Sequence, residues 1–172
     1  MIGAYDVKSS HVYFYVQKNT AAPDFLGKIV YEIEQLNVGN AMEMATGIFS
    51  APKPGRYFFS LSGIGQFTSN SYTKCWVELN KNAENNNIGT AFCDGQRTWA
   101  NEKHCTYTLQ ATINLQAGDK IFATSWGKGC RMGSYTHFNG MLIEEDIFFA
   151  AWGTGRHINQ SQKSALSVGV VM

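Results

Sequence analysis

Charge is what this sequence has least of. Asp, Glu, Lys and Arg make up only 16% of the 172 residues, and 14 Lys plus Arg against 13 Asp plus Glu leave a formal net charge of +1. A chain so nearly neutral creates no field to gather a polyanion, so nucleic acid is excluded as a partner. A disordered chain would also be poor in apolar residues, whereas hydrophobic residues here reach 44%, so the chain is expected to fold. Long hydrophobic runs are missing too. None approaches the roughly 18–20 residues that span a bilayer, and no membrane insertion is expected. The opening residues, Met1-Ile-Gly-Ala-Tyr-Asp, have neither a basic n-region nor an apolar h-region, so the sequence reads as a mature or trimmed form.

Paired metal-binding cysteines are absent. Cys75, Cys93, Cys105 and Cys130 include no C-x-x-C, which excludes a zinc knuckle or a thioredoxin-type centre. An even count in a β-rich chain fits an oxidising, extracellular compartment. The alternative is four buried free thiols in a cytosolic protein. Catalytic templates are missing as well: no H-E-x-x-H, no G-x-S-x-G, no Walker loop, and Gly63-Ile-Gly65 and Gly153-Thr-Gly155 lack the further glycines of a dinucleotide loop. His11, His104, His137 and His157 do not stand at ligand spacing and read as surface or turn histidines. We expect no enzyme activity and no organic cofactor.

Helical periodicity is lacking: the best stretch, Tyr31–Met44, is broken by Asn37, Gly39 and Asn40. What is present is a period of two. Cys105, Tyr107, Leu109, Ala111, Ile113 and Leu115 alternate with Thr106, Thr108, Gln110, Thr112, Asn114 and Gln116, the pattern of a strand buried on one face. The same reading predicts strands near His11–Gln17, Gly27–Ile33, Gly55–Gly65, Thr73–Lys81, Asn87–Asp94, Gly118–Trp126 and Tyr135–Ile143. Turn chemistry separates them at Pro52-Lys-Pro-Gly55, Asn80-Lys-Asn82, Asn85-Asn-Asn87, Ala117-Gly-Asp119 and Gly127–Gly133. The chain is therefore all-β, a sandwich or barrel.

Two strands carry large apolar groups on both faces. Val12, Phe14 and Val16 are opposed by Tyr13 and Tyr15, and Tyr57, Phe59 and Leu61 by Phe58. A solitary sandwich leaves its outer face polar, so a second burial surface is implied.

Tyr31, Asn37, Met42, Phe49, Gly55, Tyr57, Phe59 and Leu61, within Thr46-Gly-Ile-Phe49-Ser-Ala-Pro52-Lys-Pro-Gly55-Arg-Tyr57-Phe-Phe59, closely resemble the signature of the complement C1q globular domain, of the C1q and tumour-necrosis-factor-like superfamily. Tyr31, Met42 and Leu61 depart from it by apolar or aromatic exchanges. Leu115-Gln-Ala-Gly118-Asp119-Lys-Ile121 and Phe138-Asn-Gly140-Met-Leu142 match two further family elements. The resemblance implies a ten-stranded jelly-roll β-sandwich over 11–146, with an N-terminal extension at 1–10 and a tail at 147–172. The tail holds the sequon Asn159-Gln160-Ser161. It also implies a secreted homotrimer, with Tyr13, Tyr15 and Phe58 at the subunit interface.

The jelly-roll order brings the strand of Cys75 beside the one ending before Cys130, so a Cys75–Cys130 bridge is expected. Cys93 and Cys105 flank one loop and could close it. Parity argues against that pair, because Ile88 and Phe92 read as inward, which turns Cys93 outward. Calcium is possible, since the family often binds it near the trimer apex. The positions expected to be acidic fall on Arg97 and Cys105, leaving Asp94 and Glu102 out of register as candidate ligands. For ligand recognition the loop Asp94–Lys103 offers Arg97, Trp99 and Asn101, an aromatic ring with polar groups of the kind that binds sugars, and the segment Trp126–Tyr135 offers Trp126, Arg131 and Tyr135. The function so implied is lectin-like innate-immune recognition of surface glycans or proteins. A signalling, adhesive or matrix trimer that binds a protein receptor is the alternative.

Overall fold

The computed structural model describes residues 9–21, 27–68, 72–95 and 104–146. Among these the chain forms only strands: β1 (Tyr13–Lys18), β2 (Gly27–Lys28), β3 (Ile33–Val38), β4 (Met42–Glu43), β5 (Ile48–Ser50), β6 (Gly55–Phe67), β7 (Thr73–Lys81), β8 (Asn87–Gly95), β9 (His104–Leu115), β10 (Lys120–Trp126), β11 (Cys130–Met132) and β12 (Thr136–Glu145). They build two six-stranded sheets. Sheet one runs β11-β6-β12-β1-β3, with β9 on the other edge of β6; sheet two runs β4-β5-β10-β7-β8, with β2 beside β10. Every pairing is antiparallel. The architecture is the expected all-β jelly-roll sandwich, with two-residue ladders at β2 and β4.

Period two places the core. Phe14 and Val16 of β1, Tyr57, Phe59 and Leu61 of β6 and Phe138 of β12 are all fully buried on the inner face of sheet one. They meet Phe49 and Ile121 of sheet two, also fully buried. Phe49 links the layers, with ring centroids 5.2 Å from Phe14 and 5.3 Å from Phe59. The alternation from Cys105 to Leu115 holds along β9, polar positions exposed and apolar ones buried or half-buried.

Four expectations need correction. Gly27–Ile33 is not one strand: β2 ends at Lys28 and β3 begins at Ile33. Residues 127–133 are not all turn, because Cys130–Met132 pairs with the end of β6. Asn80 is not in a turn but lies buried in β7, its amide donating to Thr124 Oγ1 at 2.9 Å. The chain reverses after it, where Asn82 takes a positive φ of 64°. Phe92 does not point inward; it is 69% exposed. Leu79 pairs with Gly89 and Asn80 with Asn87, so Ile88 is an extra residue in β8. That bulge reverses the alternation downstream and turns Ala91 and Cys93 inward.

Candidate recognition surfaces

Each sheet has an outer face, and the two differ in character. On sheet one, direct register partners form the row Val38, Tyr13, Met141, Phe58 across β3, β1, β12 and β6. The next row is Leu36, Tyr15, Asn139, Ser60. Register partners in an antiparallel pair point to the same side. Tyr13, Tyr15 and Phe58 are half-buried, and Leu36, Val38 and Met141 are exposed. Tyr15 is fixed in place: its hydroxyl meets His137 Nδ1 at 2.9 Å, Gln17 Nε2 donates to it at 2.5 Å, and its ring stacks on His137.

On sheet two the row Trp126, Trp76, Phe92 crosses β10, β7 and β8. The rings of Trp76 and Phe92 lie 6.3 Å apart. Trp126 Nε1 donates to Glu78 Oε2 at 3.0 Å, which sets the indole against the neighbouring row of Thr124, Glu78 and Thr90. On the other flank Lys74 pairs with Asp94, whose carboxylate accepts a hydrogen bond from the Tyr72 hydroxyl.

The residues singled out from sequence are dispersed. Trp126 belongs to this row. Arg131 lies on β11 in the other sheet, and the exposed Tyr135 in the connection to β12. Arg97, Trp99, Asn101 and Glu102 lie outside the described residues, as does the 147–172 tail. Trp76 and Phe92 were missed. The signal for Trp76 was present, since it stands one residue after the inward Cys75. Phe92 was hidden by the bulge.

Cys75 is bridged to Cys130 and Cys93 to Cys105, with S–S distances of 1.95 and 2.00 Å. The objection to the second bridge dissolves with the reversed parity of β8. Both bridges pack with Phe67 at one end of the sandwich. Between the sheets there, Val77, Ala91, Tyr107 and Met132 help to line a cavity of about 30 Å³. Ser125 borders it, and its buried hydroxyl has no protein partner among the described residues. Such a volume suits one or two waters rather than an organic ligand.

Among the described residues no three His, Cys, Asp or Glu side chains are placed to hold a metal ion. Asp94 alone falls short of the six to eight or so oxygens that calcium takes. No helix among them is long and apolar enough to cross a membrane.

Comparison with known proteins gives one consistent result. The family model described as "C1q domain" matches residues 13–143. The globular domain of zebrafish complement 1qA protein is 16% identical, covers 78% of this chain and 99% of its own, and superposes with a TM-score of 0.62. Eiger TNF from S. frugiperda is 11% identical over 81% of this chain and 96% of its own, with a TM-score of 0.60. Murine APRIL is 12% identical over 77% and 99%, with a TM-score of 0.57. At these identities the solved structures speak to the fold, and the family model to membership. The chain belongs to the C1q-domain family.

Proposed function

We propose that this is a secreted, ligand-binding rather than catalytic protein that works as a homotrimer and recognises glycans or proteins on surfaces. One observation carries the self-association: the apolar row Val38, Tyr13, Met141, Phe58 on the outer face of sheet one. A sandwich alone in water gains nothing from such a row, while two or more copies bury it and remove apolar area from solvent. Tyr13, Tyr15 and Phe58 are the contact residues in this reading.

Assembly through sheet one leaves sheet two facing outward in each copy. Three equivalent surfaces held rigidly gain avidity for a repeated ligand, so each site can be weak. Two internal bridges fit an oxidising, extracellular setting. The test pairs hydrodynamic mass with a screen of glycan arrays and cell surfaces. Trimer mass with saturable surface binding supports the reading. A trimer that binds neither glycans nor any cell-surface protein would leave a structural role in its place.

A further inference from the structure

We propose that the row Trp126, Trp76, Phe92 is a binding site for neutral glycan chains, receiving the apolar faces of consecutive pyranose rings. This rests on the recognition role proposed above and names its ligand class and its residues.

Three observations point there. First, the row sets three aromatic residues side by side on a rigid sheet, the Trp76 and Phe92 rings 6.3 Å apart and Trp126 next to Trp76 in the register. Its rings stand on adjacent strands, β10 and β7 inside the sheet and β8 at its edge, and the Ile88 bulge is what brings Phe92 out beside Trp76. Three strands place the outer rings about 10 Å apart, the length of two sugar rings. Second, hydrogen-bonding groups border the strip on both sides. Glu78 and Thr90 lie along one flank, Asp94 and Lys74 along the other. Trp126 Nε1 and Thr124 both approach Glu78 through Oε2, so among the described residues Glu78 Oε1 is left to accept from a ligand hydroxyl. An apolar strip edged by a few fixed polar groups matches the two surfaces of a pyranose, a C–H face and a hydroxyl rim.

Third, size and charge select the occupant. Three aromatic side chains could bury at most roughly 450–750 Å², and Trp76 and Trp126 are already more than half covered. A stable protein–protein contact needs about 800 Å² from each partner, so the strip is too small for a second copy or a globular protein. Carboxylates on both flanks disfavour anionic sugars and nucleotides. Of the nearby cations, Lys28 is held over the Phe122 ring at 4.8 Å, and Lys74 stands across from the Asp94 carboxylate in the register of β7 against β8.

Calorimetric titration of the whole chain with cellohexaose, chitohexaose and laminarihexaose tests this. At least one should bind saturably, and Phe92→Ala and Trp76→Ala should each weaken it about tenfold with unchanged circular dichroism and sedimentation. Phe92 is 69% exposed, so its variant decides the matter even if Trp76→Ala misfolds. Binding untouched by Phe92→Ala, or no binding of any of the three by a trimeric chain, overturns the site. So does saturable binding of a cell-surface protein that is lost in Phe92→Ala while no oligosaccharide binds. A monomeric chain that binds through this row keeps the site and removes the trimer instead.

Discussion

Gly140→Ala probes how tightly the core fixes sheet one. Gly140 of β12 pairs with Phe14 and with Phe59. A Cβ there would come within 2.5 Å of Phe14 Cε1 and 2.6 Å of Phe59 Cδ1. Carbon atoms settle at about 3.5–4.0 Å, so one methyl group intrudes on two rings by about 1 Å each. Neither ring has anywhere to go. Both are fully buried, Phe14 lies 4.9 Å from Phe138 and 5.2 Å from Phe49, and Phe59 lies 5.3 Å from Phe49. Overpacking of this kind costs about 1–3 kcal/mol, and two trapped rings place the clash near 3. Losing glycine's backbone freedom returns about 0.5–1 kcal/mol, leaving a net loss of about 2–2.5. For a chain of this size that lowers the melting temperature by roughly 5–10 °C. Urea unfolding at fixed protein concentration measures it, with the midpoint moving and the slope unchanged. Phe59→Leu made together with Gly140→Ala should lose less than the two single losses summed, by about 1 kcal/mol. A Gly140→Ala midpoint equal to that of the parent chain, or strict additivity, would refute the reasoning.

The bridges should differ in worth. Cys75 and Cys130 are 55 residues apart and Cys93 and Cys105 only 12. Loop entropy therefore assigns roughly 4 kcal/mol to the first pair and roughly 3 to the second. Alanine replacement of each pair, followed by urea unfolding, should give losses in that order, and a reversed order contradicts it. Glu32 should carry an acid-sensitive share of stability. Burial raises its pKa, but hydrogen bonds from Lys18, Thr20 and the Asn19 amide, with the Lys18 charge, outweigh burial and leave it at about 2 against an ordinary 4.5. A carboxylate depressed in the fold stabilises above its unfolded value, and that contribution fades as pH falls from 4.5 through about 2. NMR titration of Glu32 should show a midpoint near 2, and Glu32→Gln should flatten the loss of stability across that window. A midpoint near 4.5 rules out the depressed pKa.

Much of the fold is legible because alternation is a direct image of burial. Along β9 each inward residue is apolar and each outward one polar, so the strand and its buried face follow from the residues alone. Elements of two or three residues, β2, β4, β5 and β11, contain too few positions to show any period. β3 escaped for another reason: it holds the edge of sheet one with no residue fully buried, so Ile33–Val38 has no buried apolar face to reveal it. The aromatic row was harder still. Ile88 and Phe92 are both large and apolar and four residues apart, so strict alternation assigns them to one face. A bulge adds a residue without changing composition, and only the register of β7 against β8 exposes it. Trp126 was found from its loop, whereas its neighbours in space come from strands distant in sequence.

The outer face of sheet one carries the account, and sedimentation equilibrium at micromolar concentration tests it most directly. The unmodified chain should sediment with three times its own mass, and Tyr13→Glu, which sets a charge in the middle of the Val38, Tyr13, Met141, Phe58 row, should reduce it to one. A parent chain of single mass, clear and free of aggregate at that concentration, would contradict the account.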